Sequence, residues 1–247
     1  MTAAPHGDSG SLIKGIRRAG SFLIKDCGSE RRQGEQNPKQ IEMDGKAYFR
    51  FMDVIYLPRR PRDLTAAQVE ELCELRLDLY DSAVDESLNR AIAQCMRDEI
   101  HQRASRESWV SPHCLDIGCG DGRSYEWIWS GLSTASIVGL DSSTRAARAA
   151  AGRGFRSLII GDGVRVPIRS RRIDCVCALF VLHFGACWSW IPEVYRVLRC
   201  EGAFVFNFYG DDPSNLLSEV RRVGFRDVAR LACSPVGGDH AVYCATR

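Results

Sequence analysis

Nine residues, Cys114-Leu115-Asp116-Ile117-Gly118-Cys119-Gly120-Asp121-Gly122, constrain this chain more than any other stretch. A short apolar run reaches an acid and then gives way to three glycines in alternation. Such a segment reads as a buried strand turning sharply into a loop whose backbone passes close to a ligand. Glycine supplies φ > 0 there and puts no side chain in the way. A helix from about Arg123 is expected to follow and to aim its N-terminus at the same place. With 247 residues the chain has room for one well-buried domain and an appendage.

Downstream the pattern alternates. Apolar runs at 114–117, 135–140, 157–160, 173–180 and 203–208 are separated by helical stretches near 123–130, 144–151 and 188–199. Repetition of this kind predicts a parallel sheet covered on both faces. After Phe208 the chain runs through Asp211-Asp212-Pro213 into a helix carrying Leu216, Leu217 and Val220. Two strand candidates close it, 226–232 and 240–245, and the short turn between them requires antiparallel pairing.

Ahead of the glycine loop the reading is looser. Residues 1–45 are rich in Gly, Ser, Gln and charge, and a mobile arm is expected. Within it Leu12, Ile13, Ile16, Ala19 and Leu23 recur near helical spacing. Two readings stay open: a short amphipathic helix over a site or a neighbouring subunit, hence a homodimer through this region, or a tail with incidental apolar residues. Tyr48–Leu57 is aromatic and β-branched, so strand-like, and Pro58-Arg59-Arg60-Pro61-Arg62 breaks it. Thr65 with Gln68 forms a capping box that starts a helix, and a second helix is expected from about Val84. The organisation read from sequence is therefore an arm over 1–45, a mostly helical cap or substrate region over 46–105, and a ligand-binding α/β domain over 106–247.

Charge and cysteine usage narrow the classes. Residues 1–62 carry 12 Lys and Arg against 7 Asp and Glu, while the remainder is slightly acidic. That imbalance is too small to argue for nucleic acid by itself. The 11 cysteines are scattered, without a C-x-x-C pair or a His/Cys cluster at ligand spacing, so no metal is expected. Nothing at the N-terminus reads as a secretory signal. Buried, mostly reduced thiols in a cytoplasmic protein are the expectation. No apolar run is long enough to span a membrane.

The order of elements, with its closing antiparallel hairpin, resembles the class I S-adenosylmethionine (SAM)-dependent methyltransferases. Four places carry the likeness. Asp116-Ile-Gly118-Cys-Gly120-Asp-Gly122 resembles the family's first motif. Ile137-Val-Gly-Leu-Asp141 resembles the second strand with its terminal acid. Gly161-Asp162-Gly163, followed by Val166-Pro167-Ile168, resembles the segment that reads adenine. Ile173 to Phe184 and Glu193 to Gly202 resemble the fourth strand and the helix after it. A dinucleotide fold would want G-x-G-x-x-G, but position 123 is Arg.

The resemblance implies a Rossmann-like, doubly wound seven-stranded sheet, mostly parallel, with SAM as cofactor. It implies that Gly118, Cys119 and Gly120 approach the amino-acid half of SAM and that Asp116 orients that loop or accepts from the ligand's ammonium. Asp141 would accept from the ribose hydroxyls, and Asp162 from the adenine amino group. The amide of Gly163 or Val164 would donate to a ring nitrogen, with Ser142 and Val164 on the two faces of the ring. Leu179 would line the site, and Tyr80 would cap the ligand's amino-acid end. For chemistry the candidate base is His183, just past the fourth strand, with packing against Phe180 and Trp188 as the competing role. Asn207 and Tyr209 are expected to share one face at the end of the fifth strand and to meet the acceptor. Only Gly210-Asp-Asp-Pro213 follows that strand, which favours a small or medium-sized acceptor under a helical cap. Two runners-up keep the SAM site: a wobble-uridine tRNA methyltransferase, nucleic acid being the less favoured partner, and transfer or cyclisation of the amino-carboxypropyl arm. A non-enzymatic SAM-binding scaffold is a further alternative.

Overall fold

The structure, a computed structural model, describes residues 15–25, 39–52, 54–83, 86–232 and 240–247, with only the backbone described over 80–83. Two compact units result. One takes in Met1–Pro61 and Leu79–Val84, the other Arg62–Asp78 and Asp85–Arg247.

The first unit is an antiparallel sheet. β1 (Ile16–Ala19) and β2 (Phe22–Lys25) form a hairpin about Gly20-Ser21. This corrects the amphipathic helix expected over 12–23, of which Leu12 and Ile13 lie outside the described residues. The reason is visible in Phe22, Leu23 and Ile24, three consecutive residues that are all buried. A strand covered on both faces accommodates such a run, whereas an amphipathic helix buries only one stripe. β3 (Gln40–Met43), β4 (Lys46–Phe51) and β5 (Ile55–Leu57) complete the order β1-β2-β5-β4-β3. The single strand expected over Tyr48–Leu57 is thus two, broken at Met52, whose φ is 54°. Ile16, Leu23, Met43, Tyr48 and Tyr56 make the core. Arg18 ties across it, donating to the Tyr48 hydroxyl at 3.2 Å and to Asp44 at 2.8 Å. Strands therefore occupy part of the stretch read as an arm and the start of the stretch read as mostly helical.

Two long helices follow, α1 (Ala66–Ala83) and α2 (Glu86–Arg106). The capping box is formed: Thr65 N donates to Gln68 Oε1 at 3.1 Å, and Gln68 N to Thr65 Oγ1 at 3.3 Å. Among the described residues no helix is long and apolar enough to cross a membrane. Among the described residues eight cysteines are free thiols, most of them buried, while Cys95 is disulfide-bonded.

The second unit is built on β6 (His113–Ile117), β7 (Ser136–Asp141), α3 (Thr144–Gly152), β8 (Ser157–Ile160), β9 (Ile173–Ala178), α4 (Ile191–Val197), β10 (Leu198–Tyr209), α5 (Ser214–Val223), β11 (Arg226–Arg230) and β12 (His240–Thr246). The sheet order is β11-β12-β10-β9-β6-β7-β8. Every pairing is parallel except the two that β12 makes, with β10 and β11. This is the expected seven-stranded Rossmann-like sheet with its antiparallel end. The chain runs outward from β6 through β7 to β8, then returns to β9 on the other side. A crevice therefore opens at the carboxyl ends of β6 and β9, the switch point where open α/β sheets hold ligands. Central strands read as continuous apolar runs because both faces are covered: Leu115, Val176, Phe204 and Phe206 are all fully buried.

The helix anticipated over 123–130 is present over 123–129, α-helical at Arg123 and Ser124 and π-helical over Tyr125–Trp129. Trp127, Ile128 and Trp129 are all buried there, and three consecutive buried side chains cannot lie on one stripe of a regular helix.

Candidate functional site

The glycine loop is fastened to the end of β7. Gly118 N and Cys119 N both donate to Leu140 O, at 2.7 and 3.1 Å. Gly120 N donates to Asp141 Oδ2 at 2.8 Å, while Asp141 Oδ1 accepts from Ser143 N at 2.9 Å. Asp141 thus joins the loop after β6 to the cap of α3 and keeps a lone pair free on each oxygen. Burial raises its carboxyl above the ordinary range, and the two amides work against that shift. Gly118 and Gly120 both have positive φ, 72° and 55°. A Cβ on Gly118 would strike Val181, whereas one on Gly120 would meet nothing within 4 Å. Gly120 faces open space, the approach a ligand needs.

Asp116 belongs beneath this cradle rather than in it. Its side chain is fully buried and accepts from the Trp129 indole at 2.8 Å. Burial pushes the carboxyl up to about 6, opposed by Trp129 and Ser124 and assisted by the charge of Asp141. A folded carboxyl that binds its proton near 6, against about 3.9 when unfolded, adds stability at low pH that is lost as pH rises through 6. The charged form costs the fold about 3 kcal/mol at neutral pH. Asp116→Asn keeps an oxygen for the indole, so melting temperatures recorded from pH 5 to 7.5 should show the wild type falling relative to the variant. Parallel curves would show that Asp116 does not titrate in this range.

In the segment expected to read adenine, Asp162 and Val164 are exposed, and Asp162 Oδ1 already accepts from Val164 N at 3.0 Å. Of the two amides considered from sequence, Val164 is therefore engaged within the chain. Gly163 is buried against an aromatic wall: a Cβ there would sit 2.3 Å from Cδ2 of Trp190. The same indole lies 3.6 Å from the Cβ position of Gly118, so Trp190 stands between the two glycine segments. Nothing in the spacing of Trp190 along the chain separates it from Trp188. Ser142 is exposed beside Asp141, Cys119 is buried and Leu179 is half-buried just past β9. Tyr80 lies in α1, but its side chain falls outside the described residues.

The residues past β9 and at the end of β10 form an aromatic group. His183 is 3% exposed, with Phe184 at 4.0 Å between ring centroids and Tyr209 edge-on at 6.4 Å. Burial, then the charges of Arg76 and His240, hold its imidazole well below the ordinary histidine range, so it is neutral at pH 7. Tyr209 packs on His240 across the β10–β12 ladder at 4.6 Å. Asn207, one pleat back on the same face, is fully buried and accepts from Phe180 N at 2.6 Å. Phe180 itself has φ 58°, a strained conformation for a non-glycine residue and of the kind that collects at functional sites.

α1 approaches this edge through Glu74, which accepts from the Ser143 hydroxyl, and Asp78, which pairs with Arg145. Neither contact was anticipated from sequence, because α1 and α3 are remote along the chain. The structure brings Gly118, Gly120, Asp141, Ser142, Asp162, Gly163, Leu179, His183 and Tyr209 to the carboxyl edge of one sheet. It sets Asp116 below that edge.

Residues 115–206 match the family described as "Methyltransferase domain". Among solved structures, the chain is similar to the 1,6-didemethyltoxoflavin-N1-methyltransferase of Burkholderia thailandensis, which holds 1,6-didemethyltoxoflavin and S-adenosylhomocysteine. Identity is 16% over 85% of this chain and 99% of that one, with a TM-score of 0.57. A SAM-dependent methyltransferase of Thermotoga maritima is 18% identical over 70% of this chain and 97% of its own, at 0.51. A TehB-like SAM-dependent methyltransferase of Corynebacterium glutamicum is 18% identical over 73% and 98%, also at 0.51. At these identities the likeness is one of fold. No curated protein matches the sequence.

Proposed function

The chain carries a methyltransferase domain on the class I SAM-dependent methyltransferase fold, and on that premise we propose that it methylates a small or medium-sized molecule. The cradle suits SAM. Asp141 offers its remaining lone pairs to the ribose hydroxyls, and Gly118, Cys119 and Gly120 bring backbone to the amino-acid half. Asp162 and the Gly163 amide read the adenine, Ser142 and the 47% exposed Val164 flank it, and Leu179 lines the pocket. Asp116 contributes indirectly, by holding Trp129 under the loop. Tyr80 is assigned to the ligand's amino-acid end from the family resemblance alone.

When bound, SAM supplies an electrophilic methyl on a sulfonium whose charge vanishes as the carbon–sulfur bond breaks. The protein's work is then chiefly to align the acceptor with that bond and, where the acceptor carries a proton, to remove it. His183 is the base of this proposal and Tyr209 positions the acceptor.

The observation that carries the reading is the depth of His183, 3% exposed behind Phe184 and Tyr209. A reacting group so enclosed admits a molecule that enters the pocket whole. The short link Gly210–Pro213 between β10 and α5 agrees, since it offers no extended platform. A homodimer through the N-terminal region and a cytoplasmic setting belong to the same proposal. The test is to incubate purified protein with methyl-labelled SAM and either the low-molecular-weight fraction of a cell extract or its bulk RNA. Label in the small-molecule fraction with S-adenosylhomocysteine as coproduct is expected. Label confined to RNA, or methylthioadenosine as coproduct, replaces this reading with one of its rivals.

A further inference from the structure

At the edge of the seven-stranded sheet opposite the glycine loop lies a second cleft, of about 580 Å³. That volume falls within the range of about 300–1,000 Å³ that small-molecule sites occupy. β6, β7 and β9 begin there, with His113, Ser136 and Asp174 in its lining, and they end at the edge that carries Gly118, Asp141 and Leu179. At about 3.3 Å per residue the two edges are about 15 Å apart, so a molecule in this cleft stands clear of the cradle. Two lining residues hold backbone conformations usual for glycine. Ser108, just past α2, has φ 51°, and Arg171, ahead of β9, has φ 59°. Glycine would take either place without strain. The chain instead sets a hydroxyl and a guanidinium there, and strain of this kind collects where side chains serve a function. Arg171 N and Arg172 N donate to Arg196 O and Val197 O at 3.0 and 2.8 Å, which fixes the turn that presents both arginines.

The charges of the cleft do not cancel. Asp174 accepts from His113 N at 2.6 Å and pairs with Arg199 at 2.5 Å. Glu107 accepts from the Trp109 indole at 3.1 Å and lies 3.6 Å from Arg103 and 4.0 Å from Arg199. Both acids are thus engaged, while the side chains of Arg171 and Arg172, also in the lining, meet no carboxylate among the described residues. The planar fork of arginine matches the oxygens of a phosphate. The cleft has a flat, apolar side as well. Trp109 is half-buried, tied to Glu107 and with the Arg199 guanidinium 5.7 Å from its ring, and Ile168 and the 82% exposed Val110 share the lining. A bare phosphate would leave that side unfilled, whereas a base joined to a phosphate meets both. We propose that this cleft binds a nucleoside monophosphate unit, free or as one residue of single-stranded RNA. Its phosphate rests on Arg171 and Arg172 and its base against Trp109 and Val110. The site is distinct from the methyl-transfer site and does not rest on the methyltransferase reading.

The test titrates the full chain calorimetrically with adenosine and uridine 5′-monophosphates, their nucleosides, inorganic phosphate and a single-stranded RNA hexamer. Saturating S-adenosylhomocysteine is present throughout, to keep nucleotides out of the adenosine cradle. The better monophosphate is expected to bind at least about tenfold more tightly than its nucleoside and than phosphate, the loss of one charge-assisted contact. Joint replacement by Arg171→Asn, whose side chain tolerates the left-handed region, and Arg172→Gln should remove that preference and leave S-adenosylhomocysteine affinity unchanged. A hexamer that binds more tightly than the monophosphate identifies RNA as the source of the unit, and one that does not identifies the free nucleotide. Nucleosides or phosphate binding as well as monophosphates, or no binding at millimolar concentration, overturns the proposal. So does the double variant, folded by circular dichroism, with nucleotide affinity intact, or nucleotide binding seen only without S-adenosylhomocysteine. Failure of the wild type to bind S-adenosylhomocysteine is a separate result: it removes the methyltransferase reading and leaves the comparison of wild type with the double variant to decide this site.

Discussion

Asp141→Ala is expected to weaken S-adenosylhomocysteine binding by about two to four orders of magnitude, the loss of two hydrogen bonds to a charged acceptor at about 1.5–3 kcal/mol each. The effect is large because the side chain does two jobs. Its oxygens hold Gly120 N and Ser143 N, so removing them unfastens the glycine loop from α3. They are also the acceptors assigned to the ribose hydroxyls. Asp141→Asn separates the two jobs. It keeps one acceptor oxygen, and so one of the two backbone ties, but its amide nitrogen can only donate and it carries no charge; an affinity between wild type and Asp141→Ala is expected. Calorimetric titration measures this directly. A full-strength isotherm with Asp141→Ala would mean that the cradle binds something else.

Why Asp141 could be found from sequence and Glu74 could not is a matter of locality. The glycine loop, Asp141, Asp162 and Gly163 each end or follow a strand, and parallel strands deliver their ends to one edge. Once the strands are recognised from apolar runs, the residues at their ends are placed together by topology alone. Glu74 and Asp78 reach the edge from a helix whose docking depends on tertiary packing. Their spacing along α1 shows which residues share a face but not what the face meets. The same limit explains the β1–β2 hairpin. Leu12 to Leu23 can be fitted to a helical period, and only burial of Phe22, Leu23 and Ile24 in succession decides for strand. The helix from Arg123 was legible, but its π form over Tyr125–Trp129 was not, since the Trp129 indole turns inward to satisfy Asp116. Asp116 was legible as a strand-end acid, yet its burial under the loop was not, because a carboxylate facing a ligand and one facing an indole leave the same letter in the sequence.

His183→Ala and His183→Gln are both expected to lower kcat by about two to four orders of magnitude, the range for removing a positioned general base. Affinity for S-adenosylhomocysteine should stay near that of the wild type, because the proposed arrangement sets His183, past β9, against the acceptor and gives it no part in holding the ribose or adenine. The glutamine variant matters most, since it preserves size and hydrogen bonding but cannot take a proton near neutrality. The pH dependence gives an independent reading. Burial, Arg76 and His240 hold the imidazole well below its ordinary value. The neutral, base-competent form therefore persists as pH falls past about 6.5, where an exposed histidine would already be half protonated. For the wild type, kcat limited by this base should consequently stay level through that pH and decline only below it. Stability moves in the same direction: the unfolded chain accepts a proton on His183 near 6.5 and the folded one resists it, so the contribution of this residue is present above that pH and is lost as pH falls. A histidine that merely packs against Phe184 would share the stability trend while leaving kcat of the folded Gln variant intact. Concurrent loss of kcat in both variants, with cofactor affinity retained, is the result that assigns proton removal to His183; equal losses in turnover and cofactor affinity would take it away.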